Sequence, residues 1–557
     1  MVLKLFPRGF ATATSAISTI RAQTHTHKQT LNYAAPVLLA GGCLAYAFSG
    51  SNDKDKPERG IRAVPTRDLI RGYLVYAACS IPALIDASPA ILHAFGSSPI
   101  PGLPALANTV VRHTFFAQFV PGETVEECMP ILAQMHNQNV GGALNYCAEA
   151  EQGELDHTAV RDAKELNRCL AECYKGIEEL GKLEDQIEAA GGRRGASAFA
   201  VKVTGLLDNG VLVRASNTLM RYRSVVPVDD TVPCPGLPTS TDDIVVACGP
   251  GSTDLVPICD DSLQPLGRLH SDEYATDDDR EILYDMYQKL RHMAELARDR
   301  GVKLVIDAEH VETQPVLDAY TLLLCQEFNK PRPGQKFSGP LIFGTFQSYL
   351  RRQPQYIRYM LNHAQENGYS LGMKIVRGAY IDQDRAAWYH EGRPGEDPMW
   401  PDKPATDKSY NDAIDHIISQ LSSQLALSKP ELAPSVIFAT HNADSVDTII
   451  DKLQKYGLVD PTEDDRLRLK DSVAGKVFIA QLYGMRDDLS DKVVEKFDSR
   501  GIPMSLKYVA YGTLAEVVPF LARRAYENKS VMSGSGGAVA ERKRIRSELM
   551  RRVLGTQ

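Results

Sequence analysis

Short runs of β-branched and aromatic residues alternate with longer helix-like stretches over most of the chain. Eight such runs occur between residues 140 and 508. Alternation of strand and helix is typical of a parallel sheet, and eight repeats predict an α/β fold, a (β/α)8 barrel of the TIM type. The predicted strands are Val140–Tyr146, Phe199–Thr204, Lys303–Glu309, Leu341–Phe346, Gly372–Arg377, Ser435–Thr440, Lys476–Gln481 and Pro503–Tyr508.

Two regions interrupt this regular pattern. Residues 151–192 are charged and predict a helical hairpin after the first strand. Residues 206–273 are rich in Pro, Gly, Asp and Cys without a sustained period, which predicts an insertion between strands two and three. The acidic run Asp277–Asp279 lacks the glycine and the later glutamate of a calcium loop, so we expect it to begin a helix.

The segments outside the barrel differ in composition. Residues 1–50 carry basic but no acidic side chains, with much Ser, Thr and Ala, which is typical of a mitochondrial transit peptide. Within them, the apolar run Tyr33–Phe48 is shorter than the roughly 20 residues that span a bilayer, so a weak anchor and a part of the leader both stay open. Residues 51–138 predict a linker and a helical arm, and the barrel takes 139–530. The basic amphipathic helix predicted at 531–557 either contacts anionic lipid or closes the barrel.

Composition narrows the class of protein. The chain has 557 residues, of which 43% are hydrophobic, and a net charge of -8, as in a large globular enzyme. Mild acidity argues against a nucleic-acid partner. The ten cysteines form neither a CxxC motif nor a cysteine–histidine spacing suited to zinc, so we expect no metal site and a reducing interior compartment. Cys169 and Cys173 are expected to share one face of a helix.

Nearly every predicted strand carries a polar side chain near its C-terminal end, where barrel enzymes place their chemistry. Singly, each has an ordinary explanation as a capped strand end or a satisfied core group. Together they predict an active site. These side chains are Lys202, Asp307, Glu309, Thr345, Gln347, Lys374, Arg377, Thr440, His441, Asn442, Gln481, Lys507 and Tyr508.

The residue types restrict the chemistry of this site. A lysine beside carboxylates such as Asp307 stays protonated, which favours a fixed cation over a Schiff-base nucleophile. His441 has no second histidine or cysteine at ligand spacing, so hydrogen bonding to a ligand is favoured over a metal. No GxGxxG motif follows a strand, and a nucleotide cofactor would therefore not be held by a Rossmann turn.

Arg523 and Arg524 lie on a predicted helix after the last strand, with Glu527 within reach of both. Taken alone, the pair is best interpreted as a solvated surface ion pair. Above a ring of polar strand ends, it instead predicts a clamp for a substrate carboxylate, because the guanidinium fork binds carboxylates through paired hydrogen bonds. Glu527 would then orient the guanidiniums.

In their order along the chain, several motifs resemble those of the proline dehydrogenase family. The resemblance runs from about Gln118 to Glu527, interrupted at 206–273, and no single motif carries it alone. The motifs are Gln118–Thr124, Phe199–Thr204, Ile306–Glu309, Lys374–Tyr380, Thr440–Ala443, Gln481–Met485 and the arginine pair with Glu527 and Asn528.

The resemblance implies a mitochondrial flavoenzyme that oxidises L-proline to Δ1-pyrroline-5-carboxylate with FAD. Electrons would pass to ubiquinone at the matrix side of the inner membrane. It implies a catalytic and substrate-binding set formed by Lys202, Asp307, Tyr380, Leu482, Tyr508, Arg523, Arg524 and Glu527. It implies a FAD-binding set formed by Gln347, Lys374, Arg377, Gly378, Ala379, Thr440, His441, Asn442 and Gln481.

Two points stay open at the level of the sequence. Many bacterial members of the family have arginine where this chain has Lys374 and lysine where it has Arg377, which puts the contacts of both positions in question. Tyr508 would leave little room for a 4-hydroxyl group and so favours proline over hydroxyproline. Hydroxyproline dehydrogenase activity and a catalytically inactive mitochondrial barrel remain the alternatives.

Overall fold

A computed structural model describes residues 60–81, 83, 85, 100, 102–147, 163–225, 234–239, 243–248, 274–390, 392, 396–530 and 538–555. The chain divides into two compact units, one of residues 1–73 with 544–557 and one of residues 74–543. The predicted transit peptide and the Tyr33–Phe48 run lie outside the described residues. No helix in the described ranges is long and apolar enough to cross a membrane.

Eight parallel strands close into a barrel, which confirms the predicted fold class. Their order around the barrel is β1-β11-β9-β6-β5-β4-β3-β2, and every predicted strand overlaps an observed one. The barrel strands are β1 Val140–Tyr146, β2 Ser197–Val201, β3 Lys303–Ile306, β4 Ile342–Gln347, β5 Gly372–Val376, β6 Ser435–Ala439, β9 Val477–Leu482 and β11 Ser505–Tyr511.

The strands are buried on both faces, and their side chains alternate between two cores. In β2, Ala198 and Ala200 belong to the core inside the barrel, whereas Phe199 and Val201 pack outward against the helices. The same period of two places Val305 and Phe343 inside. Alanines, branched residues and two phenylalanines fill the narrow interior, so the barrel is a packed core and not a pore.

Helices of the larger unit surround the barrel and cover its outer face. The one after the predicted insertion begins as expected, because Thr276 and Asp279 form a capping box at its first turn. The helices are α1 Thr66–Cys79, α2 Leu103–Val111, α3 Ala117–Phe119, α4 Val125–Asn137, α5 Ala163–Ala189, α6 Asn209–Val225, α7 Asp243–Val246, α8 Asp277–Arg300, α9 Gln314–Phe328, α10 Gln353–Glu366, α11 Ile381–His390, α12 Lys403–Leu425, α13 Ala443–Lys455, α14 Asp487–Lys496, α15 Leu514–Ser530 and α16 Ala538–Leu554.

Three local regions add to or change the predictions. The described part of 151–192 holds one long helix, α5, on which Cys169 and Cys173 are both buried, whereas residues 151–162, which would hold the other arm of the predicted hairpin, lie outside the described residues. The predicted insertion contains α6, which packs Leu212 and Leu219 into the core although its sequence period is weak. A small sheet of β7 Val459–Pro461, β8 Leu467–Leu469 and β10 Phe497–Asp498 was not predicted, because strands of two or three residues leave no pattern.

Within the smaller unit, the chain after residue 544 binds the segment near residue 60. The Arg552 guanidinium donates to the Thr66 hydroxyl at 2.9 Å and to the Arg62 carbonyl at 2.9 Å. Glu548 accepts from both Arg551 and Arg552, each at 2.8 Å. The basic C-terminal segment is therefore helical as predicted, and two of its arginines form ion pairs with its own glutamate.

Candidate active site

The alternation along the strands sorts the predicted site residues into two groups. Residues that continue the inward series point into the C-terminal mouth of the barrel, and those that continue the outward series meet the surrounding helices. The inward group is Lys202, Asp307, Gln347, Lys374, His441, Leu482 and Tyr508. The outward group is Arg377, Thr440 and Gln481.

Asp307 is the centre of a buried polar cluster in the mouth. Its carboxylate accepts hydrogen bonds from the Lys374 ammonium and, at 2.6 Å, from the Tyr508 hydroxyl. The side chains of Asp307 and Lys374 are 6% and 12% exposed. Burial and the Asp307 charge raise the pKa of Tyr508, so its phenol stays protonated and keeps donating. The Lys374 ammonium also lies 4.9 Å from the centre of the Tyr508 ring.

A second group lies beside this cluster and contains the first of the two arginines. The Lys202 ammonium donates to the Tyr380 hydroxyl at 3.2 Å. The Arg523 guanidinium lies 5.7 Å from the centre of the Tyr380 ring. The positive charge of Lys202 also opposes the rise in the pKa of Tyr508. The barrel mouth thus brings together Lys202, Tyr380, Tyr508 and Arg523, as the sequence predicted.

Arg524 is buried on α15, against the surface interpretation that the pair has on its own. It is 4% exposed, its guanidinium donates to Glu527 at 2.6 Å, and it packs over the Phe520 ring at 4.7 Å. The charge of Arg524 also lowers the pKa of His441. Glu527 binds one guanidinium of the pair directly.

His441 is held neutral with a defined tautomer. Burial and the positive charges of Arg524, Lys507 and Arg486 lower its pKa to about 3. Its Nε2 accepts a hydrogen bond from the Leu482 backbone N–H at 3.1 Å, so the ring hydrogen is on Nδ1. His441 therefore presents an uncharged N–H donor at the end of β6.

Gln347 offers a buried acceptor in the same mouth. Its Nε2 donates to the Glu309 carbonyl at 2.9 Å and to the Tyr349 hydroxyl at 3.1 Å, which fixes the orientation of the amide. Its Oε1 is buried and has no hydrogen-bond partner within the described part of the chain. A buried orphan acceptor costs about 1–3 kcal/mol, and a ligand N–H would remove that cost.

Arg377 points outward and is fully occupied by protein groups. It donates to Asp407 at 2.6 Å, to the Thr440 hydroxyl at 2.8 Å and to the Ser445 hydroxyl at 2.9 Å. Its guanidinium also stacks 4.3 Å from the centre of the Tyr410 ring. These contacts join β5 to α12 and α13, and they give Arg377 a structural role behind the site.

Of four other residues predicted to bind the cofactor, three have a structural role within the protein and one is exposed at the mouth of the barrel. Gly378 has φ +116, and a Cβ there would lie 1.8 Å from the Tyr349 ring, so only glycine fits. Asn442 caps α13 by accepting from the Asp444 N–H at 2.8 Å. Gln481 accepts from the Ser490 hydroxyl at 2.7 Å behind the barrel. Ala379 is exposed at the mouth.

A group that the sequence did not predict lies beneath Tyr380. The His310 ring packs 4.3 Å from the Tyr380 ring, and its Nδ1 lies 2.7 Å from Asp384. Asp384 also accepts from the Tyr349 hydroxyl at 2.8 Å. Burial opposes a charge on His310, but Asp384 outweighs it and raises the pKa of the imidazole. His310 directly follows the Asp307–Glu309 motif, which is the signal that could have identified it.

A second missed group supports the loop after β9. Arg486 donates to the His441 carbonyl and forms two hydrogen bonds to Asp488, both at 2.9 Å. The Gly484 carbonyl accepts from the Tyr76 hydroxyl and, at 3.2 Å, from the Gln118 amide. The helical arm before the barrel therefore fixes the loop that directly follows Leu482.

Comparison with known proteins places the chain in a family. A family model described as proline dehydrogenase matches residues 135–536. The Bos taurus protein named "Proline dehydrogenase 1, mitochondrial" is 28% identical over 90% of this chain and 89% of its own length. The Mus musculus protein named "Hydroxyproline dehydrogenase" is 26% identical over 88% of this chain and 92% of its own.

A solved structure shares the fold. The crystal structure of proline utilization A from Bdellovibrio bacteriovorus inactivated by N-propargylglycine superposes with a TM-score of 0.56 at 15% identity. It matches 90% of this chain, which in turn spans 42% of that longer one. The match of the family model over most of the barrel shows that this chain belongs to the proline dehydrogenase family.

Proposed function

We propose that this chain is a FAD-dependent dehydrogenase that oxidises L-proline to Δ1-pyrroline-5-carboxylate in mitochondria and passes the electrons to ubiquinone. Family membership supports proline oxidation, and the relatives named mitochondrial support the compartment. The observation that carries the proposal is the arrangement of two arginines, one lysine and two tyrosines around the Asp307 cluster at the barrel mouth. An inactive barrel protein would have no reason to keep these charges together around the buried Asp307 carboxylate.

In this proposal Arg523 and Arg524 bind the substrate carboxylate. Arg524 is oriented by Glu527 at 2.6 Å, and Arg523 lies over Tyr380, so both forks are positioned before the substrate arrives. Preorganised donors lose little entropy on binding, which raises affinity. The carboxylate would fix one end of the proline ring and leave C5 at the other end to face the cofactor.

The positive charges of this site also act on the substrate amine. Lys202, Arg523 and Arg524 disfavour a further positive charge nearby and so lower the pKa of the proline ammonium. Loss of that proton leaves the nitrogen lone pair available to support removal of a hydride from C5. Oxidation then removes the C5 hydride and the N–H proton together and leaves a C=N bond. Asp307 holds the Tyr508 phenol beside the ring through their 2.6 Å hydrogen bond.

The donors and acceptors of the mouth fit a flavin. An isoalloxazine ring offers both N–H and carbonyl groups, and the mouth presents the buried Gln347 Oε1 acceptor and the neutral His441 Nδ1–H donor. We propose Gln347, His441 and the backbone at Ala379 as direct contacts. Arg377, Thr440, Asn442 and Gln481 would act from behind by fixing the strand ends. Bound FAD would supply the acceptor for two electrons.

The test is flavin reduction by L-proline without oxygen. The purified protein should carry FAD, its visible flavin absorbance should fall when L-proline is added, and a soluble ubiquinone analogue should restore it. Arg523→Met should retain FAD but require far more proline for the same reduction. The proposal would be contradicted if the purified protein carried no flavin, or if its flavin stayed oxidised after addition of L-proline.

Hydroxyproline is the competing substrate, because relatives of that name match nearly as well as those named for proline. Tyr508 argues for proline, since Asp307 holds its phenol in a fixed position. A pocket discriminates against one added group by about 1–3 kcal/mol. The ratio of kcat/KM for the two substrates decides the matter, and a ratio in favour of hydroxyproline would reassign the enzyme.

We further propose that α2 contacts the inner membrane at its surface. This helix carries no charged residue and buries none of its side chains, and Leu106 and Val110 are 60% and 53% exposed. Apolar helices of this kind lie at lipid interfaces. Glu123 joins the arm to the site, because it accepts from Arg112 at 2.9 Å and from the Leu514 N–H, at the start of α15, at 3.2 Å.

Vesicle flotation tests this contact. Leu106→Asp with Val110→Asp should reduce binding to vesicles of anionic phospholipid and lower activity with membrane-bound ubiquinone, while activity with a soluble quinone stays unchanged. Leu427→Asp is the matched control, because Leu427 is 59% exposed elsewhere on the surface. Equal flotation of all three proteins would exclude α2 as the membrane contact.

A further inference from the structure

A cleft of about 620 Å³ lies at the face of the barrel opposite the candidate active site. Its lining residues precede barrel strands, whereas the candidate site residues follow them. The lining includes Arg194 before β2, Lys336 before β4, Ser370 before β5, Glu431 before β6 and Lys476 before β9. The N-terminal face of such barrels usually serves stability, so an open cavity there calls for an explanation.

Lys476 lines the cleft as a buried cation. It is 4% exposed, and its ammonium has no hydrogen-bond or ion-pair partner in the described ranges of the chain. The hydroxyl of Ser435 is likewise buried without a partner. A Cβ on Gly339 would lie 2.8 Å from this hydroxyl and 3.9 Å from the ammonium, so both groups lie beside one glycine. Of the two groups, only the Ser435 hydroxyl is fully shielded; the Lys476 ammonium opens onto the cleft, where an anion can reach it.

The rim of the cleft is positively charged. Arg193, Arg332 and Lys336 are exposed along it. Of its two acidic residues, Glu188 is already engaged by Arg194 at 2.7 Å, which leaves Glu431 as the other carboxylate of the lining. Cations therefore exceed acids, and the field attracts anions.

We propose that this cleft binds a small polyanion that carries phosphate or carboxylate groups. One oxyanion contacts the Lys476 ammonium at the inner end, and the others reach Arg332 and Lys336 at the rim. The volume exceeds that of a single phosphate and suits an anion with two charged ends. This site is separate from the proline site and does not depend on the proposed function.

The protonation of Lys476 supports this proposal. Burial lowers its pKa to about 8, and burial and the charge of Lys476 lower that of the neighbouring Lys303 to about 8. Lys303 donates to the Gly195 carbonyl and lies near Glu184, which opposes the decrease. An anion beside Lys476 stabilises the ammonium, so binding near pH 8 takes up protons. The charged groups facing the cleft are Glu188, Arg193, Arg194, Arg332, Lys336, Glu431 and Lys476.

Isothermal titration calorimetry of the holoenzyme tests the proposal, with inorganic pyrophosphate and succinate as separate probes. At least one probe should bind saturably at pH 8, with a heat that depends on the ionisation enthalpy of the buffer. Lys476→Met should weaken binding at least ten-fold and abolish proton uptake. Lys336→Ala removes an exposed rim charge without risk to folding and should weaken binding several-fold. The stronger probe identifies the anion class.

Two controls separate this site from others. Lys408→Met removes an exposed lysine paired on α12 and should leave binding unchanged. Arg523→Met removes the proposed proline clamp and should also leave it unchanged, because the two sites lie at opposite ends of the barrel. Binding that survives both Lys476→Met and Lys336→Ala, or that is lost with Arg523→Met, overturns the assignment. The absence of saturable binding by either probe overturns it as well.

Discussion

Replacement of Asp307 by asparagine should destabilise the barrel far more than an ordinary surface change. Asparagine keeps the shape of the side chain but removes the charge that compensates Lys374, whose side chain is 12% exposed. Loss of one partner of a buried ion pair costs about 3–5 kcal/mol. The amide oxygen can still accept one of the two hydrogen bonds, worth about 1 kcal/mol. We therefore expect a loss of about 2–4 kcal/mol in the free energy of unfolding.

Urea unfolding followed by circular dichroism measures this loss, and a double-mutant cycle assigns it. Asp307→Asn with Lys374→Met removes both charges, so the double variant should be more stable than the sum of the single effects by about 2 kcal/mol. The control is Asp412→Asn, whose partner Lys408 and own side chain are 75% and 63% exposed. This control should cost less than about 1 kcal/mol. Additive effects of the two substitutions, or a loss no larger than that of the control, would contradict the coupling between Asp307 and Lys374.

The remaining predictions concern substrate binding and pH. Arg523→Met and Arg524→Met should each raise the KM for proline strongly while FAD stays bound; a normal KM in both would remove the clamp. Tyr508→Ser should raise kcat/KM for hydroxyproline relative to proline, and an unchanged ratio would remove Tyr508 from substrate selection. Asp384 raises the pKa of His310 in the folded protein, so protonated His310 stabilises the fold. This stabilisation is fully present below the pKa of about 6.5 that histidine has in the unfolded chain, and it is lost as pH rises through the pKa of the folded protein. His310→Gln should therefore abolish that decrease in thermal stability between neutral and alkaline pH; a variant with the same pH profile as the parent would contradict this.

The fold was predictable because the barrel strands are strongly patterned. All eight are almost entirely buried and carry β-branched, aromatic or other apolar residues, and the polar residues that follow them are visible in the sequence. The small sheet of β7, β8 and β10 was not predictable, because pairing rather than composition defines strands of two or three residues. Helix α6 was missed because its apolar residues follow no sustained period, although Leu212 and Leu219 are completely buried.

The candidate site was predictable as a set of positions but not as a set of contacts. Side chains along a strand alternate between its two faces, and this alternation could have been read from the sequence. Lys374 and Arg377 are three residues apart, so along β5 and its continuation they point to opposite faces. The inward and outward series could thus have been distinguished before the structure. The partners could not, because Asp407 and Ser445 come from helices whose packing no local pattern specifies.

The exchange of basic residues on β5 follows from these contacts. At the outward position, Arg377 donates to three different partners and stacks on a tyrosine, which needs the planar fork. A lysine there would reach one or two of those acceptors and leave the others buried without a donor. At the inward position, the ammonium of Lys374 fits between the Asp307 carboxylate and the Tyr508 ring. The outward position needs the planar guanidinium of Arg377, and the inward position needs the compact ammonium of Lys374. We therefore infer that the two basic residues are matched to their surroundings and are not interchangeable.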